Sequence, residues 1–529
     1  MLLRVCPAVF AVLLSGSVLF GSGDWNQLRQ QAQAEERLGR FEEAERTLRS
    51  AMAALPDPNN VAAAALWNEI GTVEHNQHRV AQANADFSRA LRINTQLTAP
   101  DANQSAIALN NLATIAGEEH QARRAEELLR QADGLLGPSD QIQTRTAALI
   151  RANLALTLSE EGRFAEAAPL YSRAAEEIRA QFGDRSLEYA RLAANRALFE
   201  LQTGHYAAAV EDGRASIRAQ QAVAYVPASD RALAANNLGL ALLQTNDYAA
   251  SERYLSEALR QWLSIPDSRE QMVSTLNNLG ALYEKQQQLD RAQEAEEKAM
   301  ALAGKGAPLD NMTQASIWNN LGRVALDKRN FRKAREYLSR ACDAMQSGSA
   351  LAQVRYAAAL SNLAALESAE KHYKRAETLY RKTLSIDQTE LGAEHPEVAS
   401  DLSNIATELV YQKHREEALE LYEKARVIAE KSFGQASAPV AHTWRNMAVA
   451  YYGNKQFQES ASAYSKALAA SPEPNVPGWW HEYALALRKA NRFGESEAAE
   501  TYALGIEVKK TLASGKSASS KKPDDIGKL

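Results

Sequence analysis

The feature that most constrains this chain is an asparagine that returns at a nearly fixed interval. Asn111, Asn153, Asn195, Asn237, Asn278, Asn320, Asn362, Asn404 and Asn446 follow Glu69 in steps of 42 residues, with one step of 41 between Asn237 and Asn278. A globular core has no reason to repeat itself at such a period, whereas stacked copies of one supersecondary unit do so necessarily. A series of small residues keeps the same step: Ala83, Ala125, Ala167, Ala209, Ser251, Ala292, Ala334, Ala376, Ala418 and Ser460. Ala44 extends it backwards by 39 residues and Ser496 forwards by 36, which makes twelve units in all.

Each unit reads as two amphipathic helices. Trp318-Asn319-Asn320-Leu321-Gly322 is followed by Asn330-Phe331-Arg332-Lys333-Ala334 and then Tyr337, Leu338 and Ala341, so apolar or small residues recur three and four apart in each half. Short polar turns such as Glu161-Gly162-Arg163 and Thr203-Gly204-His205 join the halves. Small residues such as Gly322 and Ala334 let the paired helices approach, and leucines and aromatics fill the remaining space. One pair cannot bury both of its apolar faces, so successive pairs must stack. Asp101, Ser186, Asp267-Ser268 and His395-Pro396 mark helix starts between units. Pro169 falls inside a second helix, where a local bend is expected. Alanine, leucine, glutamate, arginine and glutamine dominate the composition, which suits helices throughout. The rhythm loosens at Ser471-Pro472-Glu473-Pro474-Asn475-Val476-Pro477-Gly478, ahead of Trp479-Trp480, where the twelfth pair is expected to tilt or stand slightly apart.

Three stretches carry a family likeness: Leu276-Asn277-Asn278-Leu279-Gly280-Ala281-Leu282-Tyr283, Ala167-Ala168-Pro169-Leu170-Tyr171-Ser172-Arg173-Ala174, and Leu391-Gly392-Ala393-Glu394-His395-Pro396-Glu397-Val398-Ala399. They resemble the tetratricopeptide repeat, and more narrowly its 42-residue form in kinesin light chains, over about 25–508. The resemblance implies an all-α fold: a right-handed superhelical solenoid of about twelve antiparallel helix pairs, spanning 24–508. It also implies protein binding rather than catalysis, with the first helix of each pair lining a concave surface. Relative to the ordinary repeat of the family, about eight extra residues per unit lengthen the helices by roughly 12 Å in total. No heptad coiled coil precedes the repeats, so transport by a motor is not implied.

Through that resemblance the nine asparagines form a ladder along the inner surface. An amide both donates and accepts, matching the N–H and C=O of an extended peptide. The alternative is that each asparagine bonds a neighbouring helix and sets the register between repeats. Leu149, Leu156, Arg191, Leu198, Leu201, Leu233, Leu240 and Leu243 give the fourth to sixth pairs an apolar inner stripe with one arginine. That stripe is either a trough for an apolar segment or packing between successive first helices. Arg323, Arg445 and Arg488, with Tyr411 and Tyr452, mark a more polar stretch; the clustered lysines and arginines of a two-carboxylate clamp are missing.

No catalytic residue, metal site or cofactor is expected. Gly304-Lys305-Gly306 lacks the spacing of a phosphate loop. His75 and His78 lie three apart at the end of a helix without a nearby carboxylate or cysteine pair to complete a metal site, and His120, His205, His372 and His414 fall in or beside turns. Cys342 reads as a small buried hydrophobe. Net charge is −5 with both signs interspersed, so there is no basic stripe and nucleic acid is not an expected partner.

Residues 1–23 read as a secretory signal: Arg4, an apolar run from Val5 to Phe20, then Gly21 and Gly23 before a cut at Asp24. The run is shorter than the ~20 residues of a membrane span. The expectation is an exported protein, periplasmic or extracellular in a bacterium, touching membrane only if the segment stays uncleaved. Residues 509–529 are rich in lysine and serine and are expected to be a disordered tail. The functional expectation is a scaffold that holds extended protein or peptide segments in its groove; the alternative is a self-assembling structural component of an envelope complex with no peptide ligand.

Overall fold

A computed structural model describes residues 24–119, 121–136, 141–266, 268–305, 311–345, 350–471 and 476–513. The signal segment, Cys6, His120, Asp267, Gly306, Pro472 to Asn475 and the tail beyond Ala513 lie outside these residues. Among the described residues all regular structure is helical, and twenty-four helices form twelve consecutive pairs, as the repeat requires.

The first four pairs are α1 (Asp24–Arg37) with α2 (Phe41–Ala53), α3 (Val61–Asn76) with α4 (Val80–Thr95), α5 (Ala102–Glu118) with α6 (Ala122–Leu135), and α7 (Gln141–Glu160) with α8 (Phe164–Phe182). Next come α9 (Leu187–Gln202) with α10 (Tyr206–Gln221), α11 (Ala228–Gln244) with α12 (Tyr248–Trp262), α13 (Arg269–Lys285) with α14 (Leu289–Ala303), and α15 (Asn311–Asp327) with α16 (Phe331–Met345). The last four are α17 (Ala350–Ala369) with α18 (Tyr373–Glu390), α19 (Pro396–Tyr411) with α20 (Arg415–Phe433), α21 (Ala438–Gly453) with α22 (Phe457–Ala470), and α23 (Pro477–Lys489) with α24 (Phe493–Ala513). The chain divides into two compact units within α17, one ending at Tyr356 and the other beginning at Ala357. Helix α24 runs to Ala513, into the first residues of the segment expected to be a tail.

Every member of the small-residue series sits at the contact between the two helices of its pair and is at most 1% exposed. Where serine replaces alanine, its hydroxyl is satisfied by a carbonyl twelve residues earlier in the first helix: Ser251 donates to Gly239 at 2.7 Å, Ser460 to Ala448 at 2.9 Å and Ser496 to Ala484 at 2.8 Å. The facing glycines are equally constrained. A Cβ on Gly322 would stand 2.6 Å from Leu338, and one on Gly71 would stand 2.7 Å from Phe87. Between pairs the core is continuous: one cluster runs from Ile107 and Leu109 of α5 through Leu129, Ile150 and Tyr171 to Phe199 of α9 and Ala219 of α10. Burial of each such leucine or aromatic stabilises by about 1.5–3 kcal/mol, and only the neighbouring pair supplies the covering surface.

The turns inside the pairs form a third register that residue types conceal. Gly39, His78, Gly162, Gly204, Asn246, Gln287, Arg329, Lys371, Lys413, Lys455 and Asn491 all have φ between 57° and 80°. Glycine, which alone adopts this region without strain, holds only three of these places. The reason is a carbonyl that must be satisfied. The residue after each left-handed one donates its N–H to the carbonyl five residues back, as in Arg163 to Leu158 at 2.9 Å and His414 to Leu409 at 2.8 Å. This is the 6→1 bond of a Schellman ending. Between pairs, side chains cap the starts: Asp101 accepts from the Gln104 N–H at 3.0 Å, Ser186 from Tyr189 at 3.1 Å and His395 Nδ1 from Glu397 at 3.1 Å. Ser268 departs from the pattern, for its hydroxyl donates to the Ile265 carbonyl at 2.9 Å instead of capping α13. Helix α8 continues on both sides of Pro169.

Arg329→Gly and Lys413→Gly are each expected to raise stability by about 0.5–1 kcal/mol, strain relief exceeding the added chain entropy. Gly322→Ala should cost about 1–3 kcal/mol by forcing α15 from α16. Chemical denaturation of the three variants checks both signs.

Candidate functional site: a chamber in the first five pairs

The structure places the asparagine series unevenly. Asn111, Asn195, Asn237, Asn278 and Asn320 are at most 2% exposed and Asn153 is 6% exposed, all in the first unit. Asn153, Asn237 and Asn278 bond the preceding first helix of the chain itself. Asn153 Nδ2 donates to Asn110 Oδ1 at 2.8 Å, Asn237 to the Ala194 carbonyl at 2.9 Å, and Asn278 to Asn236 Oδ1 at 3.0 Å. Each partner lies 42 or 43 residues back, one repeat away. These amides therefore fix the register of one first helix against the next, the second of the two roles the sequence allows. Asn362, Asn404 and Asn446, in the second unit, are half-buried and keep some surface.

The rung after Asn278 is diverted. Asn320 Nδ2 donates to Glu296 Oε1 at 2.8 Å, not to Asn277. Both amide atoms of buried Asn277 lack a partner among the described residues. Glu296 occupies the place that Leu255 and Leu338 hold one repeat to either side, and Gly280 opposite leaves room for its carboxyl. Complete burial pushes this carboxyl well above the usual carboxylate range.

The apolar stripe is packing. Leu198, Leu201, Leu233 and Leu240 belong to one buried cluster, Leu243 packs with Leu255 and Leu279, and Leu149 and Leu156 are also buried. Arg191 is buried and bonded to Asp230 at 2.8 Å. Arg323 is half-buried and paired with Glu284, its Nε at 3.1 Å from Oε1. In the second unit Arg445 Nε bonds Glu482 at 2.8 Å, Arg488 is exposed, and exposed Tyr411 stacks on Tyr373 at 4.7 Å.

What the first unit does enclose is a chamber of about 450 Å³, within the range of ligand pockets. Two-thirds of its wall comes from first helices: α1 supplies Arg29, Gln33, Glu36 and Arg37, α3 supplies Ala65, Asn68, Glu69, Thr72 and Asn76, α5 supplies Gln104 and Ile107, and α9 supplies Leu187, Glu188 and Arg191. The lining of an inner surface by first helices was expected; its closure was not. The connection Ala222–Pro227 between α10 and α11 crosses to the first pair, where Tyr225 meets Phe41 edge to face at 5.8 Å. Gly39 permits this, since a Cβ there would lie 2.5 Å from the Tyr225 ring.

The polar groups of the chamber are partly satisfied. Arg29 Nε and Gln33 Nε2 both donate to Glu69 Oε1, each at 2.9 Å. Glu69 Oε2 and Asn68 Oδ1 are buried without a partner. Asn68 Nδ2 faces the Gln104 carbonyl and Oε1, each at 3.4 Å. Asn76 donates to Glu36 Oε1 at 3.4 Å. Burial first, and the nearby Glu69 second, push the Glu36 carboxyl up to about 8. One signal of the site was present in the sequence: Glu69 stands where every later member of the series is asparagine. The closing tyrosine had none, because its role depends on pairs far apart in the chain.

Several histidines elsewhere pair with carboxylates of the chain. His75 Nε2 lies 3.0 Å from Glu118 of the next first helix. His205 and His372 reach back five residues to Glu200 at 2.9 Å and Glu367 at 3.0 Å. Glu367, Glu370 and His372 bring ligand atoms within 4.8 Å of one another, but Arg375 Nε lies 3.5 Å from Glu367, and the group reads as an ion-pair network closing a turn. Cys342 is buried.

Stacked pairs of antiparallel helices joined by short turns define a helix-pair repeat protein, a class built for protein–protein interaction. Three family models, each described as tetratricopeptide repeat, match 62–132, 230–305 and 355–431, then 445–507, then 315–344, together more than half of the chain. The chain belongs to the tetratricopeptide-repeat proteins. No curated protein matches it. Among solved structures it is similar to a chain of the APC/C hetero-tetramer Cut9-Hcn1, at 12% identity over 93% of this chain and 96% of that one, with a TM-score of 0.43. It is also similar to BtubC (BKLC) from P. vanneervenii, at 17% identity over 54% of this chain and 97% of that one, with a TM-score of 0.28.

Glu36 gives the chamber a pH signature. Its folded value lies above its unfolded one, so the stability it contributes is full below about pH 4.5 and is lost as pH rises through about 8. Glu36→Gln should remove this component, so that the variant gains on the wild type as pH rises from about 5 to about 9. Thermal melting of both proteins across that range reads the difference directly.

Proposed function

We propose that this chain is a non-enzymatic scaffold that holds an extended segment of a partner protein against the surface of its first helices. The observation that carries the reading is the chamber wall in the first unit, built from α1, α3, α5 and α9 and from no second helix beyond Phe41 at the start of α2. Helical repeats expose the same face of each unit in turn, and a segment lying across them meets equivalent side chains at regular distances. In the second unit the half-buried Asn362, Asn404 and Asn446 are the members of the ladder that retain surface for a peptide backbone.

Each amide contributes about 0.5–1.5 kcal/mol net, so three together account for a few kcal/mol. Side-chain pockets must supply the rest of the affinity and the selectivity. An exported chain, as residues 1–23 suggest, would meet its partner outside the cytoplasm. A second reading, self-association, has its own observation: Leu485, Phe493, Tyr502, Leu504 and Val508 of the last pair are 48–58% exposed. Stacking of such an end face on another copy would extend the repeat.

The test is a peptide library screened against the wild type and against Asn362→Ala/Asn404→Ala/Asn446→Ala. The triple variant should fold and lose about ten-fold or more in affinity for selected peptides. Asn237→Ala/Asn278→Ala should instead lose stability, with peptide affinity retained in the folded fraction. Unchanged binding by the triple variant would remove the ladder from the interaction. Mass that grows with concentration in sedimentation, and reverts in Leu504→Glu/Val508→Glu, would favour self-association.

A further inference from the structure

We infer that the last helix pair binds a second copy of itself, α23 of each chain lying on α24 of the other about a two-fold axis, so that association stops at a dimer. This rests on the self-association reading and gives it a geometry; the scaffold reading does not depend on it. The outer side of α23 and α24 is an internal junction left open, as the register of earlier pairs shows. Leu504 stands eight residues after the small Ser496. At the same step Leu259 packs with Val273 and Leu276 of α13, and Leu384 with Val398 and Leu402 of α19. Phe493, three residues before Ser496, repeats Phe164 and Tyr373, whose rings meet Phe199 of α9 at 6.2 Å and Tyr411 of α19 at 4.7 Å. Glu497, one residue after Ser496, repeats Glu45, Glu126 and Glu252, which pair with Arg79, Arg163 and Arg291 of the following pair. Arg488, eight residues before it, repeats Glu284, which pairs with Arg323 of α15, and Leu243, which packs with Leu279 of α13. Here Phe493 and Leu504 are more than half exposed, and exposed Arg488 and Glu497 have no ion-pair partner among the described residues. An end repeat is ordinarily polar on its outer side; this one presents two apolar anchors and an unpaired charge of each sign.

The first pair does not fit that face. Where α13 sets Leu279 and Leu282 against the pair before it, α1 carries Gln31 and Ala34, both exposed. Arg40 offers Glu497 a charge, but head-to-tail stacking leaves Phe493 and Leu504 against glutamine. A second copy of the same face satisfies both requirements. Because α23 and α24 are antiparallel, a two-fold axis running along them lays α23 of each copy on α24 of the other. Arg488, near the end of α23, then meets Glu497 in the first turns of α24 of the second copy, and symmetry makes the contact twice. Phe493 and Leu504 lie against the facing α23, whose Leu485 is also exposed.

The experiment is sedimentation equilibrium of the full chain from about 1 to about 100 μM. The mass should rise to that of a dimer and no further. Arg488→Glu and Glu497→Arg should each weaken the dimer about ten-fold or more, since like charges then face each other at both symmetric contacts. An equimolar mixture of the two variants should restore it, because each altered charge meets its opposite. Both residues are exposed, and thermal melting checks that the variants stay folded; the wild-type measurement stands without them. Arg40→Glu should leave the dimer unchanged. A chain that stays monomeric, its end face taken by residues 514–529 or by a different protein, would overturn the inference. So would mass that grows past two copies, loss of association in Arg40→Glu, or variants that fail to complement. Peptide binding that depends on Asn362, Asn404 and Asn446 keeps the scaffold reading in each of these cases, and its loss with the dimer intact removes that reading alone.

Discussion

The contact on which this protein depends is the meeting of two small side chains at the crossing of each helix pair. Alanine or serine on the second helix, nowhere more than 1% exposed, brings the paired backbones together. That separation decides where the larger residues go. Phe87, Leu129, Tyr171 and Leu255 each lie four residues after the small one, fully enclosed, and turn the outer edge of the pair into a surface that only another pair can cover. Stacking is therefore not an added property of these units. It follows from the impossibility of closing either core alone.

The twelve pairs, their boundaries and the crossing residues were legible in the sequence, because they follow from periodicity and from the volumes of side chains. The left-handed turns were not, because the demand there falls on the backbone and is met by glycine, histidine, asparagine, glutamine, arginine and lysine in turn. Asparagine was legible as a series but not in its direction. The doublet Asn236-Asn237 held the missing information: Asn237 bonds back a repeat to the Ala194 carbonyl while Asn236 receives the bond from Asn278 of the repeat ahead, as Asn110 does from Asn153. The chamber was the least visible, since its closure by Tyr225 against Gly39 and Phe41 joins residues that no local pattern relates.

Ionisable groups divide into two populations with different work. Surface pairs such as Arg163 with Glu126 link one repeat to the next, and others such as Arg163 with Glu166 stay within one, and each contributes little. Buried carboxyls stand apart. Burial, and in the first two cases a nearby carboxylate second, raises Glu36 to about 8, Glu74 to about 7 and Asp212 to about 6. Desolvation of this kind disfavours the ionised form, and a fold that tolerates it at the chamber gains a group responsive to charge.

The diverted amide of Asn320 has a consequence of its own. With Asn277 left without a bond and an acid lodged where a leucine belongs, the stack between α13 and α15 lacks the tie that joins α5 to α7 and α11 to α13. The tie that remains between α13 and α15 is the ion pair of Arg323 with Glu284, so this junction answers to salt where its neighbours, held by neutral amides, do not.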